Sequence, residues 1–278
     1  MQMNKIKAII LGCGSSVGVP IPGCQCEICN SNNEKNHRTR TSIFVEYDDS
    51  KILIDTSDLR HQMIKNNLSS FDYLFYTHFH ADHFFGSNDL VINAINTKKS
   101  LMMFGTEEFM KKMYVKSDFM FDPVTYPFYD YKIPLNEQKI IPRPILIPNI
   151  IDKYDEILLK TKKVRCFEQN HGVIKSTGFE FGDGKLVYSP DLKSLPDQTM
   201  DFLLSLEIDT WIVPLTNMIE TNAHIGPENL KELIKKINPR RVILVHMSHH
   251  IGYDEIKGYF SDMANIEPGF DSMKIEIN

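Results

Sequence analysis

The sequence predicts an α/β fold in which two β-sheets pack together with helices outside. Three observations carry this. Strand and helix signals follow one another through the first half of the chain and then again through the second, the order expected of layered sheet-and-helix architectures. The strand signals are short β-branched or aliphatic runs bounded by Gly, Pro, Asn and Asp. The chain has 278 residues, of which 42% are hydrophobic and 24% charged, the ordinary globular range. That length can bury roughly three-quarters of the surface of the unfolded chain, and one domain over residues 1–278 is expected.

In order along the chain, "KAIIL", "TSIFVEY" and "KILIDT" read as strands. "SDLRHQMIKNN" reads as a helix with Ser57 as its N-cap. "DYLFYT" is a strand that runs directly into a histidine cluster. "LMMFG" is a strand and "TEEFMKKMYV" a helix capped by Thr106. Methionines 102, 103, 110, 113 and 120 are expected as core filler. Residues 116–150 hold six prolines and many aromatics, and an irregular insert beside a pocket or on the surface is expected there. Strands return with "VRCFEQ", "TGFEFGD", "GKLVYSPD", "TWIVPL" and "RVILVH". Helices are expected near 197–206, at 227–237 with Pro227 in the first turn, and over "GYDEIKGYF".

The totals exclude several classes of function. A net charge of −5, with basic residues only in scattered doublets, disfavours nucleic acid and acidic membranes as partners without excluding nucleic acid. No window approaches 18 continuous apolar residues, so no membrane span is expected. The first residues, "MQMNKIKAIILGCG", lack the apolar length and cleavage site of a signal peptide. Five cysteines, three of them clustered too tightly for pairwise disulfides, suit a reducing compartment. A soluble, cytoplasmic protein is expected, with a homodimer compatible with the chain.

The stretch "THFHADH" (77–83) follows a predicted strand and begins a turn. His78 and His80, two apart at a strand end, can point to one side. Asp82 and His83 come as the chain turns and can face a second point nearby. Four donors in six residues suit two adjacent metal ions better than one tetrahedral ion. This H-x-H-x-D-H pattern resembles the metallo-β-lactamase superfamily of dinuclear hydrolases, and the resemblance implies an αββα sandwich. The family pattern also requires a histidine, an aspartate and a last histidine, each at a strand end. "FEQNHG" offers His171, "LVYSPD" offers Asp191 and "VILVHMSHH" offers His246. The resemblance implies that His78, His80 and His171 hold one metal and that Asp82, His83 and His246 hold the other. Asp191 would bridge them, and Asp55 in "LIDTS" would support the site from behind the ligands. The ligand types suit Zn²⁺ or Mn²⁺, with Fe²⁺ as a further option. Two such ions can share a hydroxide nucleophilic at neutral pH, so no protein nucleophile is needed.

"LGCGSSVGVP" has the spacing G-x-G-x-x-x-G, which misses the dinucleotide fingerprint, and two prolines follow where a helix should open. A tight turn after the first strand is expected. Cys24, Cys26 and Cys29 form C-x-C-x-x-C. A closed structural zinc site needs a fourth ligand, which His249 or His250 could supply. Redox-active or merely buried thiols are the alternatives. The cysteines together with a final H-x-x-H resemble the branch of the superfamily that contains the phosphodiesterase associated with carbon–phosphorus lyase. That resemblance makes His249 the fourth zinc ligand and makes His224, in "ETNAHIGPENL", a catalytic histidine beside the phosphate. Cys13 and Cys166 lie outside the motif and read as buried apolar residues.

The expected function is therefore dinuclear-metal hydrolysis of a small phosphate diester, cyclic ones included, through a metal-bridging hydroxide, with Asp82 and His224 at the reacting centre. Two divalent catalytic metals and one structural zinc are implied. The alternatives are a tRNA 3′-processing endonuclease, a thioesterase or lactamase-type hydrolase, and a non-catalytic metal- or cofactor-handling protein.

Overall fold

A computed structural model describes residues 5–125, 128, 132–138 and 141–277. Among these residues two seven-stranded sheets form. The first sheet is built from β1 (Ile6–Gly12), β2 (Ser42–Tyr47), β3 (Ser50–Ile54), β4 (Tyr73–Phe75), β5 (Leu101–Gly105) and β6 (Leu146–Ile150). The second is built from β7 (Glu156–Leu159), β8 (Lys162–His171), β9 (Ile174–Phe181), β10 (Leu186–Tyr188), β11 (Thr210–Pro214), β12 (Arg241–Val245) and β13 (Ile266–Pro268). The last strand, β14 (Met273–Ile277), returns to the first sheet and pairs with β1. In each sheet antiparallel hairpins give way to a parallel run, β3 to β6 in one and β10 to β13 in the other.

The inward faces of the sheets make the main core. Ile6, Ala8, Ile10, Ile43, Val45, Ile52 and Phe75 meet Phe179, Phe181, Leu186 and Tyr188 in one cluster. Aromatic pairs bridge the layers: Phe75 meets Phe179 at 5.2 Å and Tyr47 meets Phe181 at 5.9 Å, both edge-to-face. β14 alternates buried and exposed residues as a half-covered strand should, whereas β11 is buried throughout. Helices α1 (Leu59–Lys65), α3 (Val91–Thr97) and α4 (Glu107–Lys116) pack on the outer face of the first sheet, α2 (Ala81–Phe84) being a single turn at its edge. α5 (Asp197–Leu204), α6 (Pro227–Ile237) and α7 (Tyr253–Tyr259) flank the second, contributing Leu203, Leu230, Ile234 and Ile256. The result is the predicted αββα sandwich.

Local expectations fare unevenly. Thr106 caps α4 by accepting from the Phe109 N–H, and Pro227 opens α6. Ser57 does not cap α1. The N-cap position is Asp58, without a side-chain cap bond, and the Ser57 hydroxyl donates to the Thr41 carbonyl instead. Met103, Met110, Met113 and Met120 are buried, but Met102 alternates to the outside and is 38% exposed. The expected insert at 116–150 lies partly outside the described residues. Its last five residues are not irregular: they form β6, an edge strand that tolerates Pro148 because its outer N–H positions need no partner. No described helix is long and apolar enough to cross a membrane.

Candidate metal centres

The strands deliver their functional side chains at one edge of the sandwich. Asp55 follows β3, the segment from Thr77 to His83 follows β4, and His171 ends β8. Asp191 follows β10, Thr216 follows β11 and His246 follows β12. In open sheets with parallel runs, this carboxyl edge is where ligands are held. Asp55 and His246 both adopt left-handed backbone conformations, with φ of 61° and 58°. Such conformations cost a non-glycine residue about 1 kcal/mol or more and concentrate at functional sites. Gly86 allows the turn after the histidine motif to close, since a Cβ there would lie 2.1 Å from the Thr56 carbonyl oxygen.

Two groups of donors converge. His78, His80 and His171 form one, and Asp82, His83 and His246 form the other. Asp191 lies between them. Its Oδ1 is 3.3 Å from His246 Nε2 and 3.7 Å from His171 Nε2, and its Oδ2 is 3.0 Å from His83 Nε2. His224 joins from the side, with Nδ1 3.7 Å from Asp191 Oδ1. All the residues expected at the catalytic centre are thus brought together.

The imidazoles are oriented from behind. His83 Nδ1 donates to Asp55 Oδ2 at 2.7 Å. His171 Nδ1 donates to the Ala223 carbonyl at 2.8 Å. Thr77 Oγ1 donates to Asp55 Oδ2 and so is free to accept from His78 Nδ1 at 3.0 Å. Thr216 Oγ1 lies 3.1 Å from His246 Nδ1. Each of these contacts turns the other ring nitrogen, Nε2, into the centre. Support of this kind is typical of metal-binding histidines, because it fixes tautomer and ring angle together.

The donors fit divalent cations on their own chemistry. Nε2 of His78, His83 and His246 and Oδ2 of Asp191 are buried without a hydrogen-bond partner. Buried polar atoms left in this state are costly unless something else satisfies them. His80 Nδ1 and His171 Nε2 face each other at 3.2 Å, an arrangement that needs a proton or cation between them. Electrostatics point the same way. Burial pushes the Asp82 carboxyl up, but the His246 and His83 rings beside it outweigh burial and hold the group far below the usual range. Asp191 is likewise held low against burial by His246 and His83. Burial lowers His78. Burial would also lower His83, yet Asp191 and Asp55 raise it well above the usual imidazole range. The carboxylates therefore demand positive charge at this point.

The second cluster joins Cys24, Cys26, Cys29 and His249. The three sulfurs lie 3.4, 3.5 and 3.6 Å from His249 Nδ1. A tetrahedral zinc with Zn–S of about 2.3 Å and Zn–N of about 2.0–2.1 Å implies S···N separations of about 3.5 Å. The backbone N–H of Cys29 draws the Cys26 thiol down to about 6, whereas burial pushes Cys29 up to about 11. The cysteines are all free thiols. The His250 ring lies 4.2 Å from that of His249, tilted by 44°, but His250 is outside the cluster. The glycine-rich segment after β1 does not open into a helix. Its Ser15 N–H donates to the Met247 carbonyl and its Cys13 carbonyl accepts from the Met247 N–H, so it braces the segment carrying His246.

Sequence reasoning missed Thr77, Thr216, Ser176 and Gln169. The last two donate to the Asp191 carbonyl at 2.6 and 3.3 Å. Thr77 and Thr216 each follow a buried strand at the ligand-bearing edge, and that position was the available signal.

Comparison with known proteins agrees with this architecture. The family described as "Beta-lactamase superfamily domain" matches residues 50–247. The crystal structure of a new diphosphatase from the PhnP family superposes with a TM-score of 0.84 at 24% identity, covering 98% of this chain and 97% of that one. Zn²⁺-bound PqqB from Methylobacterium extorquens gives 0.73 at 16% identity, covering 97% and 99%. The short form of human tRNase Z gives 0.65 at 17% identity, covering 98% and 99%. Among curated sequences, an octanoyltransferase of Porphyromonas gingivalis is 27% identical over 247 residues, 88% of this chain but 46% of that protein. The chain thus spans about half the length of that relative. The family match covers most of the chain, including every donor of the histidine-rich cluster, and the chain belongs to the beta-lactamase superfamily.

Proposed function

We propose that the chain is a divalent-cation-dependent hydrolase of small phosphate diesters. The observation that carries this reading is the convergence of two donor groups on one shared carboxylate. His78, His80 and His171 would hold one cation, Asp82, His83 and His246 the other, and Asp191 would serve both. Imidazole and carboxylate donors suit Zn²⁺, Mn²⁺ or Fe²⁺. Such a pair of cations supplies ionised water at neutral pH and offsets negative charge developing on the substrate. The remaining work falls to the protein. Asp55, Thr77, Thr216 and the Ala223 carbonyl hold the rings in register. Ser176 and Gln169 fix the backbone of Asp191.

His224 adds a hydrogen-bond donor beside the reacting centre. It sits beside Asp191, partly exposed, with its Nδ1 unpartnered. Burial, with added repulsion from His246, lowers its pKa to about 4. It is then neutral at pH 7 and acts as a hydrogen-bond donor to a phosphoryl oxygen, rather than as the acid that protonates the departing alkoxide. Its loop is fixed to the Asp191 segment, since the Ile225 N–H donates to Leu192 and Lys193 ion-pairs with Glu220. The cluster of Cys24, Cys26, Cys29 and His249 would hold a structural zinc.

His80→Ala and Asp82→Ala should each lower hydrolysis of a bis-aryl phosphate at least about a thousandfold while leaving the circular dichroism spectrum unchanged. Full activity in either variant overturns the reading. Parallel assays with a thioester, a lactam and a tRNA precursor separate the other hydrolytic classes.

A further inference from the structure

Arg38 is 1% exposed, yet it has no carboxylate at ion-pair distance among the described residues. Its two terminal nitrogens donate to backbone and amide oxygens, while Nε is buried without a partner. Nη1 donates to the Ser248 carbonyl at 2.7 Å and to the Ile251 carbonyl at 3.0 Å, and Nη2 donates to Asn36 Oδ1 at 3.1 Å. Asn36 Oδ1 also accepts from the Tyr253 N–H at the start of α7. A buried charge without an ionic partner is costly, so its placement calls for a reason.

The two carbonyls bracket His249. One guanidinium nitrogen therefore closes the loop that presents this imidazole to the three cysteines. Arg38 also pairs by its backbone with Val19, just before the cysteine segment, in both directions (2.7 and 2.8 Å). The same residue reaches toward the catalytic edge. Ser248, whose carbonyl Arg38 holds, donates its N–H to the Thr216 carbonyl at 3.1 Å. Thr216 Oγ1 in turn contacts His246 Nδ1 at 3.1 Å. Hydrogen bonds and the short backbone between them therefore connect Arg38 and the segment carrying His249 to the His246 imidazole.

We propose that Arg38 is a positioning residue that locks the Ser248–Ile251 segment, setting His249 for the cysteine site and His246 for the catalytic site. The inference rests on the proposed metal-dependent reading. Its test uses cobalt(II) added to the metal-stripped full chain. A thiolate-to-cobalt charge-transfer band reports the cysteine site, and the number of ions retained reports the catalytic one. Arg38→Met and Arg38→Lys should weaken cobalt binding at the cysteine site at least tenfold. They should also lower kcat at least tenfold with KM changed less than threefold, Arg38→Lys being the milder. Should Arg38→Met fail to fold, Arg38→Lys carries the test. A merely structural role would lower Tm and leave the cobalt titration unmoved, and that result in a folded variant overturns the proposal. Absence of the charge-transfer band in the unmodified protein would instead overturn the cysteine-site reading on which it stands.

Discussion

At the residue scale, the centre is organised by what stands behind each imidazole. Asp55 is the clearest case, fully buried and accepting from Thr77 N, Thr77 Oγ1 and His83 Nδ1. Replacing Asp55 with Asn keeps the shape but removes the charge that favours His83 as a donor to cations. Cation affinity at the catalytic centre should fall about 10- to 100-fold, measured by competition with a chelator, while the cysteine site keeps its affinity. An unchanged affinity would mean that Asp55 only packs. The first four ligands were legible in the sequence because H-x-H-x-D-H places four donors after an apolar strand, whereas His171, Asp191 and His246 were singled out only by the resemblance to the superfamily pattern, since a lone histidine or aspartate after a strand is more often structural. Thr216 and Arg38 were not legible. A threonine after a strand and an arginine in a polar loop carry no local pattern, and their roles depend on contacts 30 and 210 residues away in sequence.

At the element scale, function depends on where strands end. β3, β4, β8, β10 and β12 each stop at the same edge and hand over a donor or its support, and a hydrogen bond from Thr177 on β9 to the Thr77 carbonyl ties the two sheets at that point. The strands that the sequence revealed were the central ones, which read as apolar or alternating runs bounded by turn residues. β6, β7, β13 and β14 did not stand out. They are short edge strands whose pairing, rather than their composition, makes them strands. The cysteine segment is the opposite case, a loop with little regular structure that four side chains would hold through a metal. Cys26→Ser should remove zinc from that site and lower Tm, since structural zinc contributes directly to folding. Metal analysis of the purified variant checks this, and an unchanged zinc content would refute the structural role.

At the scale of the whole molecule, the donors of the candidate metal centre come from both halves of the sandwich. His78, His80, Asp82 and His83 belong to the first sheet's edge, and His171, Asp191 and His246 to the second's. Bound cations would therefore cross-link the two layers. Ligands at a hundred times their Kd add about 2.7 kcal/mol, and for a chain of this size each kcal/mol moves Tm by about 2–4 °C. Two such ions would add about 5 kcal/mol, so stripping both should lower Tm by about 10–20 °C, and scanning calorimetry of stripped and reloaded protein reads this directly. The layered fold was legible from the order of elements, and the bridging of the layers followed only once the sheets were placed face to face.

The central claim is that these donors bind cations in order to hydrolyse a phosphate diester. The most direct measurement is metal content together with bis-aryl phosphate turnover, on the same preparation before chelation, after chelation and after reloading. The account predicts two ions at the histidine centre beyond the one at the cysteines, with turnover lost on stripping and restored on reloading. Turnover that survives complete removal of those two ions, or a fully loaded protein that cleaves thioesters or lactams but no phosphate diester, would contradict it.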